Sequence, residues 1–317
     1  MKNKIKTTIT ELLGIDYPII MAPMFLVSNA KMTIAALNTG ITAAIPALNY
    51  RTDAAFREAI TEIKNATDKP FGINLIVNKS NIKYKKQLDT CVDMKVDFII
   101  TSLGNPKEVI AKCKPAGIKV FCDVVDLKFA LKVADLGADA VIAVSAQAGG
   151  HSGTLKQEVL IPMLVEKLDI PVISAGGIAT SDQLKNALKL GAEAVSIGTI
   201  FIATPEAGVS DDYKNALVEY GAKDIIMTSN ISGTPITVIN TPYMQKSGNK
   251  QSTLSKLLKK NKWLKKYIKM FIMFKGMKAI ENAANNATYK TVWVAGPSIE
   301  HITAIKPVSE VVKGLVE

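Results

Sequence analysis

The chain has 317 residues, of which 48% are hydrophobic, so it can bury the core of one large domain or two modest ones. Its net charge of +11 comes largely from residues 246–278, where eleven lysines occur without an acidic residue. No apolar run of about 18 residues and no apolar leader are present, which predicts neither a transmembrane helix nor a signal peptide.

Short apolar runs that are typical of strands alternate with amphipathic stretches from Ile15 to Phe201. The eight predicted strands are Pro18–Ala22, Thr42–Ile45, Phe71–Val77, Phe98–Thr101, Lys119–Asp123, Ala140–Val144, Val172–Ala175 and Ala194–Ile197. The predicted helices between them are Lys31–Asn38, Ala54–Asn65, Lys83–Met94, Pro106–Lys114, Lys128–Leu136, Glu158–Leu168 and Ser181–Leu190. Eight alternating units predict an α/β fold of the (β/α)8 TIM-barrel type. The alternative, an open doubly wound sheet, normally carries a glycine fingerprint at its first strand, and this first strand ends in Ala22-Pro23-Met24 instead.

Residues 210–290 interrupt this alternation. Leu254–Met277 is rich in lysine and has apolar residues at near-helical spacing, which predicts a helical excursion that covers part of the barrel mouth. The barrel itself is then expected in residues 1–209 together with 291–317. We interpret the lysines of 246–278 as a solvated face, with a membrane surface or an acidic partner as the alternatives. No nucleic-acid partner is expected, because no binding motif accompanies the charge.

Three glycine-containing loops each follow a late predicted strand. The first, Gln147–Thr154, places His151 within a glycine cluster, and the others are Gly176-Gly177 and Gly198-Thr199. Active sites of such barrels lie at the carboxyl ends of the strands, and the last two loops commonly bind a phosphate beside a short helix, here expected at Ile200–Thr204. Histidine titrates near neutral pH, so His151 is the predicted catalytic base, although a structural role is the alternative.

The roles of the other polar residues near the strand ends can be interpreted in more than one way. Asn74 either hydrogen-bonds a planar heterocycle or stabilises a turn. Asp123 and Asp126 are either acid–base groups or turn residues, and we favour turns. Three cysteines without metal-type spacing predict a reduced, cytoplasmic protein with no metal site. No Gly-x-Ser-x-Gly elbow of a serine hydrolase is present.

Together these motifs resemble the nitronate monooxygenase family, formerly called 2-nitropropane dioxygenases, and the related FMN-dependent enoyl-ACP reductase II. The resemblance extends from the first predicted strand to Ala295-Gly296, and its most specific part is Ala148-Gly149-Gly150-His151-x-Gly153. Val144-Ser145-Ala146-Gln147 departs from the Gln-Gly-x-Glu run of many members. The Gly104-Asn105-Pro106 loop looks more like that of the reductase.

The resemblance implies one non-covalent FMN and a flavoprotein oxidoreductase activity. His151 would be the base that takes a proton from a nitroalkane, which dioxygen converts to a carbonyl compound and nitrite. The residues that would bind FMN are Ala22, Pro23, Met24, Asn74, Gly149, Gly150, Gly176, Gly177, Gly198 and Thr199. The alternative activity is enoyl-thioester reduction, with NAD(P)H as electron donor and acyl carrier protein as partner. A flavin-binding sensor without turnover is a third possibility.

Overall fold

The computed structural model describes residues 4–78, 81–229, 235–247 and 292–317. Eight parallel strands close into a barrel, each paired with its predecessor and the last paired with the first. These strands are β1 (Ile19–Met21), β2 (Thr42–Pro46), β3 (Gly72–Ile76), β4 (Phe98–Ser102), β5 (Lys119–Val124), β6 (Ala140–Val144), β8 (Val172–Ala175) and β9 (Ala194–Ile197). All eight predicted strands are confirmed, with ends that agree within one residue.

Helices follow the first seven barrel strands, as the amphipathic pattern predicts. They are α2 (Ala30–Leu37), α3 (Asp53–Ala66), α4 (Tyr84–Asp93), α5 (Lys107–Cys113), α6 (Leu127–Asp135), α7 (Gln157–Lys167) and α8 (Ser181–Lys189). Polar side chains begin several of them: Thr52, Asp126 and Thr180 each accept a backbone N–H of the first turn. These caps fix where each helix begins after its strand.

Apolar side chains fill the lower part of the barrel interior. The rings of Phe98 and Phe121 stack with centroids 5.1 Å apart. A Cβ at Gly72 would lie 2.2 Å from the Phe98 ring, so only glycine fits there. Helix α1 (Thr8–Leu13) packs against the same cluster, and its first N–H donates to the Glu193 carboxylate over 2.7 Å. The packed end lies at the amino termini of the strands, which leaves the carboxyl ends to form the mouth.

A small antiparallel sheet lies at the mouth. It consists of β7 (Gly150–His151), β10 (Ile225–Thr228) and β11 (Ile236–Ile239), with β11 in the middle. The last two strands belong to the segment for which the sequence predicts helices, and here the prediction is corrected. Both are short, mostly β-branched runs, which favour strands; β11 pairs with β10 along its whole length and with β7 at Ile236 and Thr237.

The remaining helices flank this sheet and close the barrel wall. They are α9 (Thr199–Ile202), α10 (Asp211–Glu219), α11 (Pro242–Ser247) and α12 (Val308–Val316). Helix α12 packs against α2 and α8, and Val292–Gly296 returns the chain to the mouth. The predicted lysine-rich helix Leu254–Met277 lies outside the described residues. Within the described ranges, no helix has the length and apolar character needed to cross a bilayer.

Candidate active site at the barrel mouth

The histidine loop is held by a strand pair rather than by the barrel alone. His151 lies opposite Ile236 in the antiparallel ladder, and Gly150 lies opposite Thr237. The Thr237 hydroxyl also donates to the carbonyl of Ala148 over 3.0 Å. Strand β11 therefore holds the backbone of the loop, while the His151 side chain stays exposed at the rim of the mouth. An exposed imidazole on a fixed backbone is suited to proton exchange with a bound molecule.

The Gly176-Gly177 loop packs directly beneath the histidine loop. Both residues adopt positive φ angles, +108° and +76°. A Cβ at Gly176 would lie 2.5 Å from the Ala148 nitrogen, and one at Gly177 would lie 3.0 Å from Gln147 Cβ. The sequence suggested that these glycines make room for a phosphate. The structure shows in addition that they allow two of the protein's own loops to touch.

The Gly198-Thr199 loop joins three parts of the chain. A Cβ at Gly198 would lie 3.4 Å from Met24 Sδ, which places this loop beside the end of β1. The Thr199 hydroxyl oxygen accepts the N–H of Gly296 over 3.0 Å. A Cβ at Gly149 would lie 3.0 Å from both the Thr199 oxygen and the Gly296 nitrogen. The short helix begins at Thr199, one residue before the position that the sequence predicts.

The loop after β1 is held in place by residues that no sequence motif had indicated. The N–H of Ala22 donates to Ile197, and that of Met24 donates to the Ser28 hydroxyl oxygen over 3.0 Å. Leu26 has a positive φ of +61°, and its N–H donates to Asn49 Oδ1 over 2.9 Å. Side chains from outside the motif thus determine the course of this loop.

Three polar side chains lie in a row across the ends of β3, β4 and β5. Asn74 Nδ2 donates to the carbonyl of Ile100 over 3.1 Å and to Ser102 Oγ over 2.7 Å. The Ser102 hydroxyl in turn donates to Asp123 Oδ2 over 2.5 Å. Burial raises the pKa of the Asp123 carboxyl to about 6, against the lowering effect of the Ser102 hydrogen bond.

Asp123 therefore lies inside a strand and faces the barrel, so our turn interpretation of this residue is wrong. Ile100 and Phe121 belong to the interior cluster, and side chains two positions further along a strand face the same side. The alternation of side chains along a strand is therefore the sequence signal that could have predicted Ser102 and Asp123 as residues of the site. Asp126, by contrast, caps α6 through a turn, as the sequence favours.

The residues singled out in the sequence thus meet at one end of the barrel. The exposed or half-buried residues there are Ala22, Pro23, Met24, Gly149, Gly150, Gly176, Gly177 and Gly198. Asn74 is buried in the layer below, and His151 lies on the rim. Thr199 accepts from Gly296 and so keeps its hydroxyl hydrogen for another acceptor. Accessible glycine backbone beside a hydroxyl donor fits a phosphate group, and the row of polar side chains fits the edge of a heterocycle. Among the residues that the structure describes, no group of three His, Cys, Asp or Glu side chains could hold a metal ion.

Comparison with known proteins assigns a family. A family model described as nitronate monooxygenase matches residues 6–86 and 79–317. The chain is 30% identical over 279 residues to a nitronate monooxygenase of Paraburkholderia phytofirmans, covering 72% of this chain and 75% of the relative. It is 34% identical over 250 residues to (3aS,4S,5R,7aS)-5-hydroxy-7a-methyl-1-oxo-octahydro-1H-indene-4-carboxyl-CoA dehydrogenase of Rhodococcus jostii, covering 78% and 70% of the two chains.

Solved structures agree with the fold. FabK from Thermotoga maritima superposes with a TM-score of 0.86 at 30% identity, covering 98% of this chain and 95% of that one. A nitroalkane oxidase from Streptomyces ansochromogenes superposes with a TM-score of 0.80, covering 97% of this chain and 96% of that one. Its identity is 24%, so it supports the barrel architecture alone.

Proposed function

The chain belongs to the nitronate monooxygenase family, and on that premise we propose that it is an FMN-dependent oxidoreductase which oxidises alkyl nitronates and nitroalkanes. Dioxygen is the proposed co-substrate, and a carbonyl compound and nitrite are the products. The enzyme acts on a small molecule that enters at the barrel mouth. The three free, buried cysteines fit the reducing cytoplasm that the sequence predicts.

The observation that carries the proposal is the position of His151. The backbone of His151 is fixed by pairing with Ile236, and its exposed side chain stands at the rim of a mouth lined by accessible glycine backbone. A nitroalkane must lose the proton from the carbon next to its nitro group before it is oxidised. A histidine whose backbone is held in place at the mouth is suited to remove that proton.

In this proposal, different residues of the mouth bind the phosphate and the ring of FMN. Gly176, Gly177, Gly198 and Thr199 hold the phosphate, while Ala22–Met24 and Asn74 border the ring. FMN, when bound, supplies the redox step, and the protein supplies position and a base. We also place Gly149 and Gly150 against the cofactor.

A second candidate function is favoured by two of the comparisons. The Rhodococcus relative is named as a dehydrogenase of an indene-carboxyl-CoA, which is a thioester, and FabK matches nearly the full length of the chain. The resemblance of the sequence motifs to FMN-dependent enoyl-ACP reductase II points the same way, so an enoyl thioester reduced with NAD(P)H is the alternative. Both reactions exchange a proton at the carbon next to an electron-withdrawing group, and His151 is suited to either one.

Anaerobic flavin reduction separates these candidates. The purified protein should be yellow and should release FMN rather than FAD when denatured. Under anaerobic conditions, an alkyl nitronate should bleach the flavin faster than NADH or NADPH does, and dioxygen should then restore the colour with release of nitrite. Faster bleaching by NAD(P)H would favour the enoyl reductase. Protein that remains colourless with added FMN would contradict both candidates, and FMN without turnover would leave only a sensor.

A further inference from the structure

The Asn74–Ser102–Asp123 row has a fixed hydrogen-bond direction. The carbonyl of Ile100 can only accept, so the Asn74 amide must turn its nitrogen toward it. The second amide hydrogen goes to Ser102 Oγ, which leaves the serine its own hydrogen to donate, and Asp123 Oδ2 receives it. The Ile100 carbonyl and the Asp123 carboxylate at the two ends of the row can only accept, so they fix which atom of the Asn74 amide is the nitrogen.

This direction leaves Asn74 with one free function, the acceptor Oδ1. Both amide hydrogens are used, and within the described ranges no hydrogen bond to Oδ1 forms. Asn74 faces the barrel interior two residues beyond Gly72, in the layer below the mouth, where it pairs with Ile100 and reaches up to Ser102 at the end of β4. A ring that carries an N–H, such as the isoalloxazine of a flavin, is the chemical class that such an acceptor selects.

The Asp123 carboxylate is expected to lower the stability of the fold, which suggests a functional reason for a carboxylate at this position. Asp123 is half-buried in the barrel interior, where loss of water raises the pKa of its carboxyl, and no salt bridge joins it to a cation among the residues that the structure describes. A buried carboxyl without a cation destabilises a fold, and a valine in the same place would pack without that cost. Its one hydrogen-bonding partner among the described residues is Ser102.

We propose that Ser102 and Asp123 are positioning residues which lock the Asn74 amide with Oδ1 toward the flavin ring. The inference rests on the proposed FMN site. Without Ser102, the Ile100 carbonyl is the one described group that still holds the amide, and without Asp123 the Ser102 hydroxyl loses the acceptor that orients it. In either variant the amide is held less firmly with Oδ1 toward the flavin. Neither residue takes part in the reaction itself.

Flavin affinity in single and double variants tests this inference. We expect Ser102→Ala to weaken FMN binding about 5- to 30-fold, in line with the free energy of a buried, charge-assisted hydrogen bond. Asp123→Val should weaken binding by a similar factor. Both changes break the same row of hydrogen bonds. The double variant should therefore bind FMN no more weakly than the weaker-binding single variant, which is the non-additivity expected for coupled residues.

The matched control lies on the same strand. Thr101→Val removes a buried hydroxyl from β4 on the face opposite to Ser102, where it contacts Cys122. This variant should keep the FMN dissociation constant within twofold, and circular dichroism melting curves should show that every variant folds. Asp123→Asn adds a redox readout: removing a buried negative charge beneath the flavin should make its midpoint potential more positive.

The outcomes separate this inference from the proposed function. If the unaltered protein binds FMN and the four variants bind it equally well with unchanged potentials, the positioning role is overturned and the proposed function stands. Additive losses in the double variant would also overturn it, because the two side chains would then act independently. If the unaltered protein binds no FMN, the proposed function and this inference both fall.

Discussion

The N–H of Gly296 donates to the hydroxyl oxygen of Thr199 over 3.0 Å, in a buried bond that joins the C-terminal return of the chain to the end of β9. Thr199 is the residue that the sequence assigns to a phosphate. Its single oxygen thus accepts a hydrogen bond from the protein, and its hydroxyl hydrogen can still be donated to another acceptor. One hydroxyl ties the closing segment of the fold to the proposed binding loop.

Replacement of Thr199 should therefore affect stability and FMN affinity together. Thr199→Val leaves the buried Gly296 N–H without its acceptor, which should lower the free energy of unfolding by about 1–3 kcal/mol. FMN should bind more weakly as well. Thr199→Ser keeps the hydroxyl and should retain most of both properties. Urea unfolding and fluorescence titration with FMN measure the two effects, and a valine variant with unchanged affinity would remove Thr199 from the phosphate site.

Substitution of Gly177 should weaken FMN binding through the loop contact described above. Gly177→Leu places a side chain 3.0 Å from Gln147 Cβ at a φ of +76°, so the two loops must separate. Gly117 is a matched control because its φ is +74° and its Cβ direction is open. Gly117→Leu carries the same backbone strain, of about 1 kcal/mol, without that contact. FMN titration should show a loss for the first variant alone, and equal losses would point to general destabilisation.

Loss of the histidine should depend on the protonation state of the substrate. His151→Ala should reduce turnover of neutral nitroalkane by about 10²–10⁴-fold, because a general base contributes that much to proton abstraction. The nitronate is already deprotonated and should be turned over at nearly the original rate. FMN content, read from the absorption spectrum, should not change. Equal losses on the two substrates would instead indicate a binding or structural role, and under the enoyl-reductase alternative the loss appears with enoyl thioester and NAD(P)H.

The raised pKa of Asp123 should appear in the pH dependence of stability. The folded carboxyl keeps its proton up to about pH 6, whereas an unfolded aspartate releases it near pH 3.8. Between these values the folded state binds more protons, so stability falls as pH rises through this window. Relative to Asp123→Asn, the unaltered protein should lose roughly 2–3 kcal/mol between pH 3.5 and pH 7. Urea unfolding of both proteins at several pH values measures this difference, and parallel curves would show that the pKa is not raised.

The lysines of 246–278 distinguish the two enzymatic candidates. An acyl carrier protein is acidic, and a basic surface beside the mouth would raise its rate of association at low salt. Changing Lys259, Lys260, Lys265 and Lys266 to Glu should then raise the KM for a carrier-bound enoyl substrate and leave that for a short free thioester unchanged. A nitronate monooxygenase should keep its turnover after the same changes. These residues lie outside the described part of the chain, so this prediction rests on the sequence.

The barrel was predictable because each of its strands is a short, mostly apolar run and amphipathic stretches separate the strands. The composition of Ala140–Val144 and Val172–Ala175 by itself favours a strand. In such a barrel each strand also pairs with the strands next to it in the sequence. Ile236–Ile239 is also β-branched, but it is four residues long and lies where the strand–helix alternation is interrupted, and it pairs with Ile225–Thr228 and with Gly150 and His151. The helical prediction for 210–290 failed at these residues for that reason.

Sequence motifs located the mouth but not the side chains that support it. Glycine loops and a histidine are recognisable because few residue types can replace them. Ser102 and Asp123 stand in ordinary strand ends, and the hydrogen bond that makes them notable links two strands. The FMN-binding and catalytic roles of the individual residues remain predictions, and the variants above test them.

Pairing of β7 with β11 has a consequence for the order in which the enzyme matures on the ribosome. Once residue 201 has been synthesised, every strand of the barrel exists, yet His151 still lacks the partner strand that fixes its backbone. Gly149 must wait longer still, because Gly296 near the end of the chain completes its surroundings. A chain that stops before Ile236 can therefore contain all the barrel strands while the backbone of the histidine loop still lacks its partner.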